Sequence, residues 1–92
     1  MDRSRITVVF NDLDKKQQTD VDIPLDISAN ELIVGLNEAF HLGLDTGDLS
    51  HCHLKAENPI ALLRGNKLLS EYNLRNGTII NFSRQGALHG TI

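Results

Sequence analysis

His51, Cys52 and His53 stand side by side, and no other stretch of this 92-residue chain gathers side chains so able to do chemistry. A thiol between two imidazoles suggests a metal site, or a nucleophile beside its base. Their spacing argues against both. Cys52, Leu54 and Ala56 alternate with His51, His53 and Lys55, which is strand period. On a strand the two histidines point one way and the thiol the other. Two imidazoles make two ligands, whereas zinc takes three or four. Asp48, in the preceding loop, is one further candidate. The run therefore reads as a solvated face with Cys52 as a small core residue. No base shares the face of the thiol, so nucleophilic work is not expected of it. No Ser-His-Asp spacing, phosphate-cradling glycine loop or pair of buried carboxylates is present, and Gly65 and Gly77 read as turn glycines. The sequence points to no enzyme, no cofactor and no metal.

Composition narrows the classes further. The formal net charge is −3, and Lys and Arg total 9 without clustering, so a nucleic-acid surface is not expected. A single cysteine rules out an intrachain disulfide and disfavours a secreted, stapled domain. The apolar run from Ile6 to Phe10 is too short for a leader core or a membrane span. The expected setting is the cytoplasm, without membrane insertion. Hydrophobic residues make up 40% of the chain, enough for one small core.

Several elements must position these side chains. Ile6, Val8 and Phe10 alternate with Arg5, Thr7 and Val9, and Val21, Ile23 and Leu25 alternate with Asp20, Asp22 and Pro24. Two such runs joined by a polar connection predict an antiparallel hairpin. Pro24 lacks a backbone donor, so the second strand belongs at an edge or ends there. Ser28 and Glu31 form a capping box before Leu32, Ile33, Leu36, Ala39 and Phe40, an apolar stripe at helical spacing. Gly43 is the expected stop, so the pattern predicts a helix over about residues 29–42. A strand through Cys52–Ala56 follows. Next come a turn at Asn58-Pro59, a short strand over Ile60–Leu63 and a turn at Arg64-Gly65-Asn66. The last strand runs from Thr78 to Phe82, with Thr78, Ile80 and Phe82 facing one way. The expectation is one α+β domain over residues 5–83, a mixed sheet of four to five strands with one helix packed across it. Residues 1–4 would be a short extension and residues 84–92 a flexible tail.

The segment Leu69-Ser70-Glu71-Tyr72-Asn73-Leu74 resembles the stretch before the last strand of ubiquitin, and the element order resembles the ubiquitin-like β-grasp fold. The chain is most similar to the YukD/EsaB proteins, small ubiquitin-like components of the type VII (WXG100) secretion system. Leu69, Tyr72, Leu74, Asn76, Gly77, Ile80 and Phe82 carry that resemblance. It implies a structural role for Tyr72: a buried latch whose hydroxyl bonds backbone near Arg64 to Asn66. It also implies a non-enzymatic, non-conjugated adaptor. The partner would be the cytoplasmic region of a type VII secretion membrane ATPase of the FtsK/SpoIIIE type, or an associated membrane subunit.

Ubiquitin and the sulfur carriers of this fold act through a terminal Gly-Gly. Here Gly86 and Gly90 are isolated, and the chain reads on to Thr91-Ile92. A modifier or sulfur carrier acting through its C-terminus is the alternative reading, and a docking domain of another signalling pathway is a third. β-Grasp domains commonly bind through the open sheet face. The outward positions here are Thr7, Val9, His51, His53, Lys55, Ile79 and Asn81. Of these, Val9, His53, Lys55, Ile79 and Asn81 are the candidate protein-binding residues, with Val9 and Ile79 as a small apolar patch.

Overall fold

The structure, a computed structural model, describes residues 4–83. The expected tail, residues 84–92, lies outside the described residues, as do Gly86 and Gly90.

The chain opens with a hairpin of β1 (Arg5–Asp12) and β2 (Gln17–Pro24), paired antiparallel from Arg5 opposite Pro24 to Asp12 opposite Gln17. The Asp12 carboxylate closes the turn between them, accepting the N–H groups of Asp14 and Lys15 at 3.1 and 3.2 Å. That use explains why an acid can be buried there. β2 is an edge strand and ends at Pro24, as the missing donor requires.

Helix α1 (Ala29–Phe40) starts on the capping box read from the sequence. The Ser28 hydroxyl accepts the Glu31 N–H at 3.1 Å, and the Glu31 carboxylate accepts the Ser28 N–H at 2.9 Å. Ala29, Leu32, Ile33 and Leu36 are its buried face. The stripe differs from expectation at its end, where Ala39 is exposed and Phe40 half-buried. The helix also stops earlier than Gly43. His41 takes the left-handed conformation at φ 53°, and its N–H bonds the Asn37 carbonyl. The Asn37 side chain then accepts the Leu44 N–H at 2.8 Å, so one residue closes the helix from both its backbone and its side chain.

Three further strands complete the sheet: β3 (Leu54–Glu57), β4 (Ala61–Leu63) and β5 (Ile79–Phe82). The order is β2-β1-β5-β3-β4. β1 and β5 run parallel at the centre, and the remaining pairs are antiparallel. The inward positions Val8, Phe10, Leu54, Ala56, Leu63, Ile80 and Phe82 meet the helix stripe in one core. The Phe10 ring lies 4.8 Å from that of Phe40 and 6.4 Å from that of Phe82, tying the helix end to the sheet. The fold is therefore the expected α+β one, a mixed five-stranded sheet under a single helix.

β3 is shorter than the alternation suggests. It begins at Leu54, so His51, Cys52 and His53 precede it rather than forming its first half.

Candidate protein-docking face

The helix covers one face of the sheet and leaves the other open. Register sets what lies side by side there. In one row Asp20, Val9, Ile79 and Glu57 are successive cross-strand neighbours. In the next, Gln18, Asn11, Asn81, Lys55 and Leu62 are. Val9 and Ile79 are thus adjacent on the two central strands, and both are half-buried. Their neighbours Asp20 and Glu57 are exposed acids, so the apolar pair is small and flanked by charge on both sides.

Asn81 stands differently from its neighbours. Its carbonyl oxygen accepts the Asn11 side-chain N–H at 2.8 Å, and its own N–H donates to a Glu57 carboxylate oxygen at 2.6 Å. Asn11, Asn81 and Glu57 form a side-chain chain across β1, β5 and β3. A partner would meet Asn81 as part of this fixed polar ladder. Asn11 and Glu57 were absent from the sequence-derived candidates. Lone polar residues at strand positions give no sign that they bond each other; register does.

Lys55 is exposed beside Asn81. His53 is half-buried just ahead of β3. Burial lowers its pKa, and the nearby Lys55 and Arg64 cations lower it further, so its imidazole is neutral at pH 7. His51 is exposed and outside any strand, so no pairing sets it in the Val9–Ile79 row.

Cys52 lines a small, mainly apolar pocket with Ile33, Leu44, His53, Leu54 and Phe82. Burial raises its thiol pKa, and Asp48 and Asp45 raise it further. The thiol is protonated near neutrality, the opposite of what a nucleophile requires. The Asp48 carboxylate accepts both the N–H and the hydroxyl of Ser50, at 3.1 and 2.6 Å, and these bonds hold its pKa below the usual range. Among the described residues no group of His, Cys, Asp or Glu converges as a metal site.

Tyr72 ends a 3-10 turn over Leu69–Tyr72. The turn is fixed from beneath: Leu69 is fully buried, and its N–H bonds the Ile27 carbonyl at 2.8 Å. The Glu71 carboxylate accepts the Leu68 N–H at 3.1 Å. The Tyr72 hydroxyl accepts the Arg64 N–H at 3.4 Å and donates to the Arg64 carbonyl at 3.2 Å. Its ring is half-buried, not buried as expected, and the Lys67 ammonium sits 4.6 Å from the ring centroid. Beyond it, Gly77 takes φ 90° in the turn into β5, and the Asn76 side chain accepts the Thr7 N–H at 2.8 Å.

The sequence also gave no warning of Ile60, 91% exposed after Pro59, or of Leu62, 46% exposed on β4.

A family model described as the WXG100 protein secretion system protein YukD matches residues 3–81. The chain belongs to the YukD family. No curated protein sequence matches it significantly. Solved structures resembling this YukD-family chain share its fold. A protein designed on ubiquitin is 17% identical, covering 88% of this chain and 89% of its own, with a TM-score of 0.63. The C-terminal ubiquitin-like domain of mouse tubulin-specific chaperone e is 13% identical, with 85% and 84% covered and a TM-score of 0.62. The ubiquitin-like domain of Plasmodium falciparum Dsk2 is 18% identical, with 86% and 99% covered and a TM-score of 0.56. At these identities the likeness speaks to the ubiquitin-like fold alone. The family places this YukD-type domain with WXG100 secretion. Among the described residues no helix is long and apolar enough to cross a membrane.

Proposed function

We propose that this protein is a cytoplasmic, non-enzymatic and non-conjugated adaptor of a WXG100 secretion system, docking through the open face of its sheet. The observation that carries this reading is the adjacency of Val9 and Ile79 on the two central strands, uncovered by the helix, in a member of the YukD family. Lys55 and the Asn11–Asn81–Glu57 ladder supply polar contacts beside that pair. His53, just ahead of β3, is the remaining proposed contact. Tyr72 keeps the chain entering β5 in place and does not itself meet the partner. The partner is the cytoplasmic region of the secretion membrane ATPase or a subunit bound to it. Ubiquitin-like folds serve such docking widely, and the protonated Cys52 thiol offers no rival chemistry.

Affinity capture of the tagged protein from its own cells tests this directly, with the intact mass of the captured form. Reversible co-elution of the ATPase with an unmodified protein is expected, and Val9→Asp with Ile79→Asp should abolish it in a folded variant. A mass ending at Gly86 or Gly90, or a ladder of covalent adducts, would replace the adaptor by a modifier. Undiminished capture by the double variant would remove the sheet face.

A further inference from the structure

We propose that the free edge of β4 binds an extended protein segment in which acidic residues flank apolar ones. β4 is the last strand of the sheet, so one of its sides has no neighbour. Arg64, just past β4, sends both its backbone N–H and its carbonyl to the Tyr72 hydroxyl. In an antiparallel pair, backbone groups alternate between the partner strand and the far side. The backbone groups of Leu62 therefore point the same way as those of Arg64, off the sheet, while those of Ala61 and Leu63 face β3. Tyr72 caps the edge at Arg64, and Leu62 leaves a donor and an acceptor open for an added strand.

The side chains around that edge are unusual for this protein. Ile60 and Leu62, 91% and 46% exposed, line an open groove together with Ala56, Ala61, Lys55 and Glu57. Scattered exposed apolar residues are ordinary. Here two of them flank open backbone groups and sit among cations. Lys55 is the cross-strand neighbour of Leu62, Arg64 follows β4, and Lys67 lies over the Tyr72 ring that bonds Arg64. Lys55 and Arg64 also lie close enough to His53 to add to the lowering of its pKa, which burial dominates. Among the described residues the one ion pair is Arg5–Asp22, on β1 and β2 at the opposite edge, so these cations have no acidic partner. Glu57, on the groove wall, bonds Asn81, and Glu71 accepts the Leu68 N–H, so neither carboxylate pairs with these cations, which outnumber them three to two. A basic rim on a chain of net charge −3 is a local field of opposite sign. Apolar side chains, open backbone groups and a positive rim together complement an extended acidic–apolar segment. The site shares Lys55 with the open face but requires neither Val9 nor Ile79.

The test titrates the isotope-labelled full-length chain, at low ionic strength, with a short peptide of Val and Ile alternating with Asp and Glu. A twin peptide carries Lys in place of every acid. The acidic peptide is expected to shift the amides of Lys55, Leu62 and Arg64 most, and to bind about tenfold or more tighter than its twin. Lys55→Glu with Arg64→Glu should weaken it by about tenfold, since both side chains lie on the rim. Leu62→Asp should abolish binding, and Val9→Asp should leave it unchanged. Equal binding of the two peptides, shifts centred on Val9 and Ile79, or no binding at about 1 mM would overturn the proposal. So would self-association without peptide, because Asp20-Val21-Asp22-Ile23 of a second copy carries the same chemistry.

Discussion

The Tyr72 hydroxyl bonds Arg64 twice, accepting from its N–H and donating to its carbonyl. One side-chain atom thus serves both backbone groups of one residue, as an adjoining strand would.

Tyr72→Phe keeps the ring and its Lys67 contact and removes only that atom. Arg64 is exposed, so water takes over part of the bonding. The expected loss is about 1 kcal/mol of unfolding free energy, read from the shift in urea midpoint at constant slope. An unchanged midpoint would mean the hydroxyl pins nothing.

Thr78 should be more sensitive. It is fully buried, and its hydroxyl accepts the Arg75 N–H at 3.0 Å while donating to the Asn58 carbonyl at 2.7 Å. Thr78→Val retains the shape but strands both partners. A loss of about 1–3 kcal/mol is expected in chemical unfolding, larger than for Tyr72→Phe.

Ser28→Ala removes the acceptor of the Glu31 N–H at the start of α1. About 1 kcal/mol should be lost, while Ser28→Asp should restore most of it. Equal stability of all three proteins would show that the capping bond contributes nothing.

His53 gives a pH signature. Its pKa in the folded protein lies below the ordinary 6.5, mainly through burial. The unfolded chain therefore binds the proton more readily than the folded one. Its contribution is fully present above about 6.5 and is lost as pH falls through the folded value. Denaturant midpoints should drop between neutral pH and pH about 5, and His53→Gln should flatten that drop. A folded-state titration of the His53 imidazole at or above 6.5 would contradict it.

These residues also mark how far the sequence could be read. The capping box was legible because Ser28 and Glu31 interact within one helical turn. The hairpin and the last strand were legible from alternation alone. The start of β3 was not, because a strand needs a partner backbone as well as a period. β5 offers β3 pairing from Lys55 to Glu57, and β4 offers it only from Leu54, opposite Leu63. Beyond that Arg64 turns to Tyr72, and His51 to His53 have nothing to pair with. The helix end was misplaced for a similar reason: Asn37 closes it through Leu44, a contact set by the following loop. On the candidate face, Val9 and Ile79 followed from parity, but their adjacency came from parallel pairing between the two ends of the domain. The Asn11–Asn81–Glu57 ladder depends on the same pairing and was invisible without it.

That central parallel pairing also governs when the protein can exist during synthesis. β1 is made first and β5 last, yet they lie side by side, Val9 against Ile79. Until residue 82 has left the ribosome, β1 has β2 on one flank and an edge of unpaired backbone groups on the other. Closing so long a loop is slow and yields its reward only at the end. A nascent chain halted before Ile79 would present that edge to chaperones and to other nascent chains, and only pairing with β5 removes it.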